Sequence, residues 1–217
     1  AKLINDIFVA TSINIENLPL IKICSDNNIR IFIGSENDVL DRFYQLTKLI
    51  RPNHIVRITA DCPMIDPEII DLVIKEHLKS NADYSSNAIN QSFPDGLDVE
   101  VFKFETLQKT WKEAKLKSER EHVTAFIYNN KNIFKIHSID SNINYGNYRW
   151  TVDNKEDLIF FQTIYENLNK KNPFFGFQTI LDFIEKNPSV KYINKDINRN
   201  EGYKKSLDND EFVEFKE

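Results

Sequence analysis

The sequence predicts an α/β fold with a mostly parallel sheet. As far as Ser86, strand-length apolar runs alternate with amphipathic, helix-length segments. Repeated strand-helix units form parallel sheets with right-handed crossovers. The most strand-like stretch, His54 to Asp61, is rich in β-branched residues and ends in an acid. Ligands bind beyond the carboxyl ends of strands in such folds, so Asp61 is either a metal ligand or a cap of the next turn.

The strands and helices of the first half follow from their patterns and their end signals. Pro19 fits only the first turn of a helix, Gly34 closes a strand, and Asp66 followed by Pro67 is typical of a helix start. Ser35 to Asp38 supply caps for the helix that follows them. The predicted strands are Ile7–Ala10, Arg30–Ile33, His54–Asp61 and Ala82–Ser86; the predicted helices are Asn17–Asp26, Val39–Ile50 and Pro67–Leu78.

The second half departs from this rhythm. Phe93–Gly96 is a turn signal, and Leu97–Phe102 alternates with period two, which puts Asp98 and Glu100 on one face. We predict helices over Phe104–Ala114, Glu121–Tyr128, Asn154–Leu168 and Phe177–Lys186, and strands over Phe134–Ile139 and Tyr148–Asp153. From Asn187 onward the chain is polar, which predicts a tail laid on the surface or partly disordered.

Composition narrows the class of protein. The 217 residues are 41% hydrophobic and 28% charged, as in ordinary globular domains, and the formal net charge is -5. That charge argues against a general nucleic-acid binder, and no apolar run is long enough to span a membrane. Cys24 and Cys62 have no metal or redox spacing. We therefore expect a cytoplasmic protein with neither nucleic-acid nor membrane partners.

Two of the predicted strands end in carboxylates, Asp61 and Asp153. If both ends lie at the same edge of the sheet, the two side chains can share one divalent cation. Mg²⁺ takes few protein carboxylates and completes its shell with water and substrate phosphates. The pair therefore points to nucleotide chemistry, while two unrelated caps remain the alternative.

Several motifs occur in order over nearly the whole chain. They are Val9–Ser12, Gly34–Ser35, Asp38–Arg42, Arg57–Pro63, Phe93–Phe102, Arg120–Thr124, Arg149–Asp153, Glu156–Leu158 and Asn200–Ser206. The ordered set resembles the cytidylyltransferases that activate acidic sugars, in particular the spore-coat polysaccharide biosynthesis protein F type. The resemblance implies a Rossmann-like nucleotidyltransferase fold of three layers, similar to that of GT-A glycosyltransferases.

The same resemblance implies an activity and a metal. Such enzymes join CTP to an acidic sugar and release pyrophosphate, in the synthesis of surface polysaccharides or glycoconjugates. By this likeness Asp61 and Asp153 are the catalytic residues and the ligands of Mg²⁺. A metal ion suits the reaction because negative charge builds on the departing pyrophosphate.

For the nucleotide we assign Ser12, Gly34, Ser35 and Arg42. Ser12 follows a strand and fits a helix cap as well. Gly34 permits a close approach of the backbone to a base, although Gly34 and Ser35 also fit an ordinary turn. Arg42 lies one helical turn after Asp38, so an ion pair within the helix is its alternative.

For the sugar we assign Asp98, Glu100, His122 and Arg149. The two acids lie on one face beside a glycine turn, which favours a polar sugar pocket over an edge strand. His122 is a candidate for binding sugar hydroxyls or a carboxylate, and a capping or core role is the alternative. Arg149 can bind a sugar carboxylate as a fork, with a structural salt bridge as the alternative.

The resemblance also organises the chain. It implies a nucleotidyltransferase domain over residues 1–189, with 94–130 as an insertion for sugar binding and dimerisation, and a polar tail over 190–217. The expected partners are CTP, a sugar and a second copy of the chain, because related enzymes use the corresponding insertion to reach a partner subunit.

One family motif has no counterpart here. Related enzymes carry a loop of the kind Gln-Ala-Arg…Ser…Arg-Leu-Pro-Gly-Lys, whose amides and basic groups hold the triphosphate. The chain begins without Met, so we expect an N-terminal truncation and no turnover of CTP by these residues alone. The alternatives are a non-catalytic relic of the fold and a glycosyltransferase, although no Asp-x-Asp pair lies at a predicted strand end.

Overall fold

A computed structural model describes residues 1–170 and 173–213. The chain divides into two compact units. The first unit comprises Ala1–Leu3, Val56–Val101 and His137–Arg199, and the second comprises Ile4–Ile55, Phe102–Ile136 and the described residues from Asn200 onward. Each unit is therefore assembled from segments that lie far apart in the sequence.

The strands confirm the predicted α/β class. They are β1 (Phe8–Ser12), β2 (Arg30–Gly34), β3 (His54–Arg57), β4 (Tyr84–Ser86), β5 (Glu100–Lys103) and β6 (Ile136–Ser138). In the second unit β1 and β2 are parallel, with Phe8 opposite Arg30 and Ser12 opposite Gly34. The other strands form a sheet in the order β3-β5-β4-β6. Asp61 lies in a turn beyond β3.

The helices agree with most of the predicted bounds. They are α1 (Leu18–Asp26), α2 (Val39–Ile50), α3 (Pro67–Ser80), α4 (Phe104–Glu113), α5 (Lys117–Glu121), α6 (Ala125–Asn129), α7 (Lys155–Leu168), α8 (Phe177–Lys186) and α9 (Glu201–Asp208), with short 3-10 helices at Ile15–Asn17 and Pro188–Tyr192. The predicted caps are confirmed: Asp38 accepts a hydrogen bond from the amide of Asp41 at 2.8 Å, and Asp66 accepts one from Glu68 at 2.6 Å. None of the described helices is long and apolar enough to cross a membrane.

Two predicted elements are wrong. The helix expected over Glu121–Tyr128 is split into α5 and α6, because Val123 between them adopts a left-handed backbone with φ 60°. That conformation is strained for a β-branched residue, and the complete burial of Val123 compensates for it. The strand expected over Tyr148–Asp153 is an irregular segment in which only Arg149 pairs, with Asp95 of a loop.

Each unit has its own buried core. In the first unit the largest fully buried side chains include Trp150, Tyr84 and Phe160. In the second unit Leu40, Phe102 and Leu107 are fully buried, and Tyr44 of α2 stacks on Trp111 of α4 with ring centroids 4.2 Å apart. These apolar contacts fix the elements from which the candidate site residues project.

One carboxylate in the first unit serves two helices. Besides capping α3, Asp66 accepts a hydrogen bond from the amide of Phe177, the first residue of α8, at 2.6 Å. A Cβ on the preceding Gly176 would lie 2.6 Å from Asp66 Oδ2. A residue without a side chain is therefore needed where α8 begins.

Candidate active site

In the first unit, residues 148–153 run beside two acidic loops. The amide of Asp95 donates to the carbonyl of Tyr148 at 3.0 Å, and the amide of Trp150 donates to the carbonyl of Asp95 at 2.6 Å. Further along, the amide of Val152 donates to the carbonyl of Asp61 at 2.8 Å. One segment thus connects the Asp61 turn with the Phe93–Asp98 loop and carries Asp153 at its end.

Gly96 allows this close approach. Its φ is 99°, a conformation that residues with side chains rarely adopt. A Cβ at this position would lie 2.5 Å from the carbonyl carbon of Trp150 and from the amide of Thr151. The Pro-Asp-Gly turn seen in the sequence is therefore the contact surface between the two segments.

Asp61 and Asp153 present accessible carboxylates. Asp61 is exposed, and within residues 1–170 and 173–213 its side chain forms no ion pair, although the Cys62 thiol lies 3.4 Å from Oδ1. Asp153 is half exposed, and Nη2 of Arg149 donates to its Oδ2 at 2.7 Å. Both side chains therefore offer oxygen atoms to solvent or to a ligand.

Arg149 is the centre of a network of carboxylates. Its Nε and Nη2 donate to the two oxygens of Asp157, each at 2.9 Å, and its Nη1 donates to Asp95 at 3.0 Å. Burial alone would raise the pKa of Asp157, but hydrogen bonds from Arg149 and Asn194 outweigh it and leave that pKa below its usual value. Burial likewise opposes the charge of Arg149, yet Asp157 and Asp153 raise the Arg149 pKa. The fork expected to bind a sugar carboxylate is thus engaged by Asp157.

A second arginine, Arg199, contacts the Phe93–Asp98 loop. Its Nη2 donates to Asp98 at 2.6 Å, its Nη1 donates to the carbonyl of Phe93 at 3.2 Å, and its Nε lies 3.4 Å from Asp95. Burial raises the pKa of Asp98 to about 6 against the opposing influence of Arg199. Burial also raises the pKa of Asp95, although the positive charges of Arg199 and Arg149 act in the opposite direction.

Glu100, the other predicted sugar ligand, lies in a buried pair. Its carboxylate forms a salt bridge with Arg57 and accepts a hydrogen bond from the hydroxyl of Tyr84 at 2.7 Å. Burial opposes the charge of Arg57, but Glu100 outweighs it and raises the Arg57 pKa. Glu100 therefore holds β5 beside Arg57 and Tyr84, whereas Asp98 is the more accessible of the two acids.

The residues that converge in the first unit carry a surplus of negative charge. The carboxylates belong to Asp61, Asp95, Asp98, Glu100, Asp153 and Asp157, and the guanidinium groups to Arg57, Arg149 and Arg199. Hard, accessible carboxylate oxygens are the donors that Mg²⁺ prefers. Within the described ranges, no group of three or more His, Cys, Asp or Glu side chains is arranged to hold a metal ion. The magnesium site predicted at Asp61 and Asp153 therefore stays a prediction.

The predicted nucleotide residues lie in the second unit, around the start of α2. The hydroxyl of Ser12 is hydrogen-bonded to Glu36 and accepts from Asn17 at 2.8 Å. Arg42 donates to the carbonyl of Ser35 at 2.9 Å, and a Cβ on Gly34 would lie 2.8 Å from Cγ of Arg42. The missing side chain at Gly34 thus makes room for Arg42.

The remaining predicted residue, His122, also lies in the second unit. Its Nε2 is 3.0 Å from the hydroxyl of Ser206, and its ring meets the edge of Tyr203 with centroids 4.8 Å apart. Both partners belong to α9, so His122 connects α9 with the end of α5. The neighbouring Arg120 is buried, and its Nε and Nη2 both donate to Oδ2 of Asp38, at 2.8 Å and 2.6 Å.

A cavity of about 450 Å³ opens within the second unit. It is lined by Glu36 and Asn37, which precede α2, and by Lys117 and Glu121 of α5. Glu36 is also the partner of Ser12. The cavity therefore adjoins the strand-end residues assigned to the nucleotide.

Sequence reasoning missed four residues of the acidic site. Asp95 was visible as part of the Pro-Asp-Gly turn, and Asp157 as an acid in the first turn of α7, where it accepts from the amide of Asn154 at 3.1 Å. Asn194 donates to the carbonyl of Arg149 at 2.9 Å and to Asp157 at 2.8 Å. Neither Asn194 nor Arg199 carried a local signal, because their partners lie far away in the sequence.

Comparison with known proteins gives one consistent result. A family model described as cytidylyltransferase matches residues 1–197. An uncharacterized protein of Methanocaldococcus jannaschii is 38% identical over 199 residues, covering 91% of this chain and 80% of that protein. The spore coat polysaccharide biosynthesis protein SpsF of Bacillus subtilis is 29% identical over 170 residues, covering 77% of this chain and 69% of SpsF.

A solved structure agrees with the sequence relatives. The structure of a cytidylyltransferase from Leptospira borgpetersenii matches with a TM-score of 0.81 and 27% sequence identity. The match covers 88% of this chain and 79% of that chain. The Rossmann-like nucleotidyltransferase fold expected from the sequence is therefore confirmed.

Proposed function

Because the chain belongs to the cytidylyltransferase family, a family of CTP-using nucleotidyltransferases, we propose that it activates an acidic sugar with CTP to give a CMP-sugar and pyrophosphate. The product would serve the synthesis of a surface polysaccharide or glycoconjugate, as the name of the relative SpsF suggests for that protein. The observation that carries the proposal is the path of residues 148–153, which connects the Asp61 turn with Asp153 in a site of surplus negative charge. The family assignment also favours this reaction over the glycosyltransferase alternative.

Asp61 and Asp153 would hold the Mg²⁺ that such a reaction needs. When bound, Mg²⁺ offsets the negative charge that builds on the phosphates. In the reaction an oxygen of the sugar attacks the α-phosphorus of CTP, the bond from that phosphorus to the bridging oxygen breaks, and pyrophosphate leaves with the bonding electrons. The hydroxyl proton needs an acceptor near the attacking oxygen.

Residues of the first unit would position the reactants. Asp98 is the accessible acid of the Phe93–Asp98 loop, and we propose that it accepts hydrogen bonds from sugar hydroxyls. The contacts of Arg149 with Asp95, Asp153 and Asp157 favour a role in holding Asp153 over a role in binding the sugar carboxylate. Glu100 would support Asp98 from β5.

Residues of the second unit would bind the nucleotide. We propose that Ser12, Ser35 and Arg42 contact CTP, with Gly34 allowing Arg42 its position. A ligand that binds the Ser12 hydroxyl would have to replace its hydrogen bond with Glu36, and the loss of that bond would reduce the gain in binding free energy. For His122, whose Nε2 is engaged by Ser206, sugar binding would require that hydrogen bond to open.

The proposal is tested by a nucleotide and sugar screen. The gene product of the complete reading frame is incubated with CTP, UTP or GTP and with acidic or neutral sugars, and pyrophosphate is measured. We expect release with CTP and an acidic sugar. Release with neutral sugars alone, or with UTP or GTP in preference to CTP, would contradict the proposal.

Asp61→Asn tests the metal assignment in the same assay. We expect pyrophosphate release to fall by about 100-fold or more, because the variant loses a charged metal ligand at the reacting phosphates. Asp26→Asn makes the same chemical change at the exposed end of α1 and serves as the control. Near-normal activity of Asp61→Asn would overturn the assignment.

Two further expectations accompany the proposal. The 217 residues alone, which carry no match to the family's triphosphate loop, are expected not to turn over CTP, and pyrophosphate release by that chain would contradict this. The enzyme is proposed to be a homodimer, which light scattering at micromolar concentration measures. A monomeric mass would count against it.

A further inference from the structure

Arg199 donates hydrogen bonds to a single loop through both terminal nitrogens of its guanidinium. The residue lies between the 3-10 helix Pro188–Tyr192 and α9, and its guanidinium reaches Phe93, Asp95 and Asp98. Only 12% of its side chain is exposed. A planar, mostly buried guanidinium with oxygen partners on one loop restricts the conformation of that loop.

Asp98 depends on this arginine more than its neighbours do. Asp95 is contacted by both Arg149 and Arg199, and Glu100 by Arg57 and Tyr84. Across residues 1–170 and 173–213, the hydrogen bond from Arg199 at 2.6 Å is the one that the carboxylate of Asp98 accepts. Removal of Arg199 therefore leaves the direction of this carboxylate undetermined.

The charge of Asp98 depends on Arg199 as well. Burial raises the pKa of Asp98 to about 6, Asp95 and Glu100 act in the same direction, and Arg199 acts against them. The thiol of Cys62 also interacts with Asp98. Without Arg199 the influence of Asp95 and Glu100 would be opposed less, which favours protonation of Asp98. A protonated carboxyl carries one O–H donor and has less capacity to accept hydrogen bonds.

We propose that Arg199 is a positioning residue for the sugar, which it serves by holding the Asp98 carboxylate ionised and directed toward the sugar hydroxyls. The inference rests on the proposed function, in which Asp98 contacts the sugar. The segment that carries Arg199 also carries Asn194, which donates to the carbonyl of Arg149 and to the carboxylate of Asp157. Residues 194–199 therefore contact both the carboxylate network around Arg149 and the Phe93–Asp98 loop.

The kinetic test separates sugar binding from nucleotide binding. Arg199→Gln is expected to raise the KM for the sugar about tenfold or more while the KM for CTP stays within about twofold, as for the loss of one charge-assisted hydrogen bond. Arg199→Lys keeps the charge without the fork and should recover part of the loss. Arg30→Gln, at an exposed arginine paired with Asp6, is the matched control.

A double variant tests whether Arg199 acts through Asp98. In the Asp98→Asn background, Arg199→Gln should add little to the sugar KM, because the group that it positions is already altered. Equal increases in both KM values, or the full effect of Arg199→Gln in the Asp98→Asn background, would overturn the inference.

A measurement without turnover distinguishes this inference from the proposed function. Urea unfolding of the same four proteins gives the coupling between Arg199 and Asp98 directly. If the four proteins show a coupling energy but the wild type does not turn over CTP, the proposed function is contradicted and the pairing of Arg199 with Asp98 is supported. An active wild type whose Arg199→Gln variant shows neither coupling nor a changed sugar KM contradicts the inference.

Discussion

Replacement of Asp98 by Asn should stabilise the protein at neutral pH. Burial raises the pKa of this carboxyl from 3.8 to about 6, so the folded protein binds the Asp98 proton more tightly than the unfolded chain does. The stabilisation from protonation is fully present below the unfolded pKa and is lost as the pH rises through about 6. Asn resembles the protonated acid in shape and carries no charge at any pH.

The magnitude follows from the shift. A difference of about 2 pKa units corresponds to about 3 kcal/mol at neutral pH, at 1.36 kcal/mol per unit. This figure is an upper bound, since 28% of the Asp98 side chain is exposed and solvent screens the effect. The advantage of Asp98→Asn should therefore be up to about 1 kcal/mol at about pH 4.5 and up to about 3 kcal/mol at about pH 7.5.

Urea unfolding followed by far-UV circular dichroism at the two pH values measures this difference. Asp26→Asn serves as the control for the same chemical change at an exposed position. A variant that is less stable than the wild type at the higher pH, or whose advantage does not change with pH, would refute the reasoning. If the variant also loses sugar binding, then the buried charge of Asp98 is retained despite the stability lost through it, because the charge is needed for function.

Three further changes test the packing around the site. Gly96→Ala should lower stability by about 2 kcal/mol or more in thermal unfolding, because φ is 99° and the Cβ would lie 2.5 Å from the carbonyl carbon of Trp150; an unchanged Tm would contradict this. Asp66→Ala should cost about 2 kcal/mol in urea unfolding, because α3 and α8 both lose a cap, and a cost near zero would show that water replaces it. Gly176→Ala should destabilise the wild type but cost much less in the Asp66→Ala background, since the Cβ meets Asp66 Oδ2 at 2.6 Å; equal costs in the two backgrounds would rule out this contact.

Local sequence signals were sufficient for much of the fold. Asp66 followed by Pro67 and the cap at Asp38 gave correct helix starts, because capping depends on residues a few positions apart. The helix break at Val123 had no such signal. A β-branched residue with positive φ is stabilised only by its surroundings, and those are set by tertiary packing.

The candidate site was less accessible to sequence reasoning. Asp61 and Asp153 were predicted from their place after apolar runs, and in the structure the amide of Val152, next to Asp153, donates to the carbonyl of Asp61. The role of Asp157 as the partner of the Arg149 fork was not visible, nor was the contact of Arg199 with Asp98. The carboxylates that an arginine contacts are determined by the tertiary structure. The residues next to the arginine in the sequence do not indicate which acids these are.

The contact between Arg199 and Asp98 also has a consequence for synthesis of the protein. The two residues are 101 positions apart, so the ribosome produces the acidic loop long before the arginine that neutralises it. Until the arginine emerges, Asp95 and Asp98 repel each other without their common partner. The first unit therefore reaches its native charge balance only when Arg199 has left the exit tunnel, which makes the ordering of the Phe93–Asp98 loop a late step of assembly.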